Sequence, residues 1–75
     1  IKSILTEIVI PAGSPVAGKQ IVELELPKTT FISIIQRGDQ FITPNGSTTL
    51  AGNDKLFVLS ENADSLKKVV LCLNC

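Results

Sequence analysis

A small α+β domain is the fold class this sequence predicts, in the order β-α-β-β-β-α with a mainly antiparallel sheet. Three observations predict it. Apolar residues alternate in the first segment, three β-rich segments then follow one another across tight turns, and the last segment returns to a helical spacing of apolar residues.

The first segment, ILTEIVIP (4–11), carries Ile4, Ile8 and Ile10 at even positions while Glu7 faces the other way. It is a strand closed by Pro11, which has no N–H to give to a ladder. After the turn AGS, Ser14 suits a helix N-cap and Pro15 the first helical position. Ala17, Ile21 and Leu24 then fall four and three apart, the spacing of one apolar helix face. Gly18 weakens this helix and is expected where a neighbouring backbone comes close; Pro27 ends it.

FISIIQ (31–36) is rich in β-branched and aromatic residues and is apolar on both faces. Simple alternation puts Ile32 and Ile34 on one side and Phe31, Ser33 and Ile35 on the other. QFITP (40–44) is its hairpin partner, across a short loop of Arg37, Gly38 and Asp39 in which Gly38 is free to take positive φ. Asn45-Gly46 marks a second tight turn and Gly52-Asn53-Asp54 a third, ahead of a last strand from Lys55 to Leu59. Asn62 caps a closing helix, with Asp64 in its first turn and Leu66, Val69, Val70 and Leu73 on one face.

Composition narrows the function classes. Seventy-five residues, 44% of them hydrophobic, make one domain, and that domain is short of surface under which to hide its apolar side chains. Burial against a second copy is the usual remedy, so a homodimer is expected. The chain opens on Ile1 rather than Met, so residues 1–75 read as a single domain from a longer chain. Net charge is zero, with no basic stripe and three Phe as its only aromatics, which argues against a nucleic-acid partner. Its longest apolar run, VVLCL (69–73), is too short to span a bilayer. There is no His to activate Ser14, Ser47 or Ser60, and AGSPVAGK misses the spacing of a phosphate-binding loop, so no catalytic residue is expected. No metal or other cofactor is expected either. Asn53 and Asp54 are explained by turn chemistry, and Cys72 and Cys75 lack the further ligands that a zinc site needs. Two cysteines at the chain end suit a reducing compartment.

The order of elements and the local text together resemble the TrkA C-terminal domain. The matching text is IPAGSPVAGKQIVELELPK followed by FISIIQRGDQFITPNGSTTLAGNDKLFVLSE. In that family an extended segment leads to Gly-Lys opening a helix that ends in Leu-Pro, then an apolar strand, an Arg-Gly turn, a Pro-x-Gly turn and a Leu-x-x-Gly-Asp-x-Leu stretch. This sequence departs from the pattern at Asn53, where the Gly of Gly-Asp would stand; Asn tolerates left-handed backbone, so the turn survives. The resemblance implies a dimeric cytosolic domain beside a transporter in the inner membrane, a potassium or other cation channel or antiporter. It also implies that a small anionic ligand such as a cyclic dinucleotide can bind at the dimer seam. In that setting Arg37 is the expected cation for the ligand, Gly38 lets backbone approach it, and Ile32, Ile34 and Pro44 form apolar walls. The bland alternative for Arg37 is a solvated hairpin tip whose charge is cancelled by Asp39. The alternative for the whole domain is a structural dimerisation module with no ligand of its own.

Overall fold

The structure, a computed structural model, describes residues 3–73. Strand β1 (Ile4–Val9) leads into a long irregular connection carrying one 3-10 turn (Ile21–Leu24). Strands β2 (Thr30–Arg37), β3 (Gln40–Ile42) and β4 (Lys55–Ser60) follow, and helix α1 (Ala63–Leu73) closes the domain. All strand pairs are antiparallel, in the order β1-β4-β2-β3.

The expected first helix is the main departure. Gly18 takes φ +90 and Gln20 is extended, so the chain turns between them instead of winding on. The backbone donors go elsewhere: Ile21 N–H donates to the Thr48 carbonyl at 3.0 Å, Val22 N–H to Gly46 at 3.0 Å and Gly18 N–H to Leu50 at 2.7 Å. A ladder with residues 46–50 has replaced intrahelical bonds, and only four residues wind as a 3-10 turn. A Cβ on Gly18 would meet nothing within 4 Å, so its positive φ, not a close neighbour, calls for glycine there. The close approach is at Gly52, where a Cβ would stand 2.9 Å from Ala12 Cα.

A bulge at Ser33 sets the faces of β2. Ile32 pairs with Val58, but Ile34 pairs with the very next residue back, Phe57. One extra residue in β2 reverses the parity of everything after it. Ile32 and Ile35 therefore share the core face with Leu56 and Val58, while Ile34 turns outward beside Phe57. This corrects the simple alternation, which had placed Ile32 with Ile34.

The covered face of the sheet packs against α1 and the long connection, with Ile10, Val16, Leu50, Val69 and Leu73 completing the core. Each such side chain contributes about 1.5–3 kcal/mol by leaving water. Helix α1 begins as expected: Ser65 N–H donates to Asn62 Oδ1 at 2.8 Å. It buries Ser65, Val69 and Leu73, four residues apart each time, so Leu66 and Val70 lie to the side of the expected face. No helix among the described residues is long and apolar enough to cross a membrane.

The opposite face of the sheet carries no covering layer among the described residues. Leu5, Leu59 and Phe31 form one row across three strands, Glu7, Phe57 and Ile34 the next, and Val9, Lys55, Gln36 and Phe41 the last. Leu5, Val9, Phe31 and Phe41 are each more than half exposed.

Candidate ligand-binding site

Strand β3 is short, and its shortness makes a groove. It pairs with β2 only from Ile35 to Arg37, after which the chain peels away through Pro44 and Asn45. Into the gap beside the first half of β2 comes Ile21 from the 3-10 turn. The result is an open groove of about 300 Å3 lined by Ile21, Thr30, Phe31, Ile32, Pro44 and Asn45. Its Asn45 end is tightly built: Ser47 N–H donates to Asn45 Oδ1 at 2.8 Å and Asn45 N–H to Thr48 Oγ1 at 2.9 Å. Phe31 also lines a neighbouring hollow of about 200 Å3 on its other side, together with Lys28, Thr29 and Leu59.

The expected site residues separate. Ile32 and Pro44 stand in the groove, Ile34 is on the open sheet face, and Arg37 and Gly38 lie at the far end of β2. At about 3.3 Å per residue, Arg37 is roughly 16 Å along the strand from Ile32. Gly38 has φ +61 and forms a two-residue turn with Asp39, so Arg37 closes the strand instead of standing at the tip.

Arg37 is not paired with Asp39. The bulge that turns Ile35 inward turns Arg37 to the same side, over the start of β4. There its Nε donates to Asp54 Oδ1 at 2.9 Å and its Nη2 to Asp54 Oδ2 at 2.7 Å, a two-pronged pair. Nη2 also donates to the Thr49 carbonyl at 3.0 Å, and Ala51 N–H donates to Asp54 Oδ2 at 2.9 Å. Asp54 is 1% exposed while the Arg37 side chain is 42% exposed. Hydrogen bonding by Arg37 holds the Asp54 carboxyl below its ordinary range, against the opposing effect of burial, and Asp54 raises the Arg37 guanidinium in return. Asp54, for which turn chemistry had seemed sufficient, thus accepts three hydrogen bonds, two of them from Arg37. Asn53 bears out the turn, with φ 69.

Sequence reasoning missed Ile21, Thr30, Phe31 and Asn45 as groove residues. Ile21 had been placed on a helix face, and nothing in the text around Phe31 marks where β3 stops pairing. Cys72 is half-buried and free, and Cys75 lies outside the described residues.

The model of the TrkA-C domain matches residues 5–70. The chain belongs to the TrkA-C domain family. It is 32% identical over 69 residues to the Trk system potassium uptake protein TrkA of Mycobacterium tuberculosis, covering 89% of this chain and 31% of that protein. It is 33% identical over 61 residues to the TrkA homolog of Archaeoglobus fulgidus, covering 81% of this chain and 14% of the homolog. This TrkA-C chain therefore spans less than a third of the length of these curated relatives. Solved structures share its fold. One is an RCK domain with cda, at TM-score 0.77 and 22% identity over 92% of this chain and 96% of the other. The second is the RCK_C domain dimer of S. agalactiae BusR in complex with c-di-AMP, at TM-score 0.76 and 23% identity over 93% and 95%. BusR in complex with its busAB-promotor DNA matches with the same score, over 35% of that chain.

Proposed function

We propose that this TrkA-C domain is the ligand-sensing and dimerisation part of a protein that regulates a potassium or other cation transporter from the cytoplasmic side of the membrane. Family membership and the potassium-uptake relatives support the setting. The observation that carries the reading at this chain's own level is Phe31, which is at once a wall of the groove and part of the open apolar sheet face. A second copy covering that face therefore borders the groove, and a ligand in the groove is felt at the seam. The only charges in the three rows, Glu7 and Lys55, lie 3.9 Å apart and offset each other, so the face can meet its own copy without repulsion.

The ligand in this reading is a cyclic dinucleotide, as in the c-di-AMP complex of the structural neighbour BusR. Phe31 offers a base its aromatic face, Ile32 and Pro44 form the apolar walls, and Ile34 lies in the seam. With Arg37 committed to Asp54, Lys28 on the other side of Phe31 supplies the cation for a phosphate. Net charge of zero gives nucleic acid no general attraction to this domain.

Thermal unfolding with and without c-di-AMP, in the unaltered chain and in Phe31→Asp, tests the proposal. The ligand is expected to raise the melting temperature of the former and not of the latter, which unfolds from a monomer by light scattering. A dimer whose melting temperature does not move with c-di-AMP up to about 100 times a micromolar Kd would leave only the dimerisation module.

A further inference from the structure

The groove has one wall on β2 and another on the segment that leaves β3, and among the described residues no hydrogen bond between its lining residues spans the two walls. Pro44 and Asn45 belong to a loop that leaves the sheet at Ile42 and returns only at Lys55. Its returning segment, residues 46–50, is bonded to residues 18–22: Leu50 N–H donates to the Lys19 carbonyl at 2.9 Å, Ile21 N–H to Thr48 at 3.0 Å, and Gln20 bridges Thr49. These bonds therefore tie Ile21 to the loop, but not the pair of them to β2. Core packing of Ile21, Ile42 and Leu50 holds both toward β2, and among the described residues one side chain adds a hydrogen bond from β2 to that loop. Arg37, at the end of β2, reaches the Thr49 carbonyl, and through Asp54 it is joined to the Ala51 N–H and to the Ile10–Asp54 backbone bond at 2.9 Å.

We infer that Arg37 is the positioning residue of the groove: it never touches the ligand, and it sets the spacing between the Phe31–Ile32 wall and the Ile21–Pro44–Asn45 wall by pinning Thr49 to β2. A guanidinium suits this work because its planar fork serves both oxygens of Asp54 and a backbone carbonyl at once; an ammonium at the same place can neutralise Asp54 but cannot hold that geometry. Asp54 in turn keeps the fork oriented, being itself fixed by Ala51 N–H. The inference rests on the groove being the ligand site proposed above.

Arg37→Lys is the informative variant, because it keeps the charge pair and the fold while loosening the fork. Amide hydrogen exchange gives a reading that needs no ligand, and calorimetric titration with c-di-AMP gives one that does. In Arg37→Lys the amides of Ile21, Val22 and Leu50 are expected to exchange about ten-fold faster while the β1–β4 amides change less than about two-fold. Affinity for c-di-AMP is expected to fall by about ten-fold. Unchanged exchange at those three amides, or an equal rise across the whole sheet, overturns the positioning role. So does localised loosening with undiminished affinity. If the unaltered chain takes up no c-di-AMP, the ligand reading fails by itself, and the exchange pattern still decides whether Arg37 sets the spacing of the two walls.

Discussion

Asp54 and Arg37 are unequal partners, and their inequality decides what each substitution does. Removing Arg37 strands a buried carboxylate with only the Ala51 N–H as donor, whereas removing Asp54 releases a guanidinium that is already partly in water. Breaking a fully buried pair costs about 3–5 kcal/mol; with one partner 42% exposed, Arg37→Ala is expected to cost roughly 2–3 kcal/mol, measured by urea unfolding. No cost would mean that the pair is a surface contact. The pH dependence has a definite sign. Asp54 titrates lower in the folded than in the unfolded chain, so its contribution is fully present above the ordinary aspartate range near 4 and is lost as pH falls through the lowered folded value. The stability gap between the unaltered chain and Asp54→Asn should accordingly be constant from pH 7 to pH 5 and narrow below about pH 4. Gly52 is a separate case. A Cβ there meets Ala12 backbone at 2.9 Å and 3.0 Å, which cannot swing away, so Gly52→Ala is expected to cost about 1–3 kcal/mol even though its φ is unremarkable.

The bulge in β2 is the element-level feature on which the others depend. If it sets the faces as described, Ile35→Ala empties a fully buried position and costs about 2–5 kcal/mol, while Ile34→Ala costs clearly less in a monomer and weakens self-association instead. The reverse order under urea at low concentration would restore simple alternation. Ser33 shows why this was not legible. It is an ordinary strand residue, and its hydroxyl donates to the Phe57 carbonyl at 2.9 Å only because the bulge is already there. Strands, turns and the Asn62 cap were legible because each is written in a few adjacent residues: alternation at Ile4 to Ile10, Asn45-Gly46, Asn53 beside Asp54. The segment 15–26 misled for the same reason. Its local spacing is helical, and the ladder that captured its N–H groups comes from residues 46–50, about thirty positions away. Arg37 and Asp54 lie 17 residues apart, one ending β2 and the other just ahead of β4, and their relative facing depends on the bulge. That pair, and the groove left where β3 stops, are consequences of register, and local text does not encode register.

The sheet has one covered face and, among the described residues, one open one, and the proposed function depends on what meets the open face. Cys72 is on α1, away from that face, and the cysteines are expected to be dispensable: Cys72→Ser with Cys75→Ser should change stability by less than about 1 kcal/mol and leave the oligomeric state alone. Stoichiometric zinc in the purified protein would contradict this. The most direct measurement is the stoichiometry of c-di-AMP binding by isothermal titration calorimetry, with the mass of the complex followed by light scattering. A ligand seated between two copies at Phe31 gives one c-di-AMP for each pair of chains, a dimeric complex, and no saturable heat in Phe31→Asp. One c-di-AMP on each monomeric chain, or no saturable heat from the unaltered chain, would contradict it.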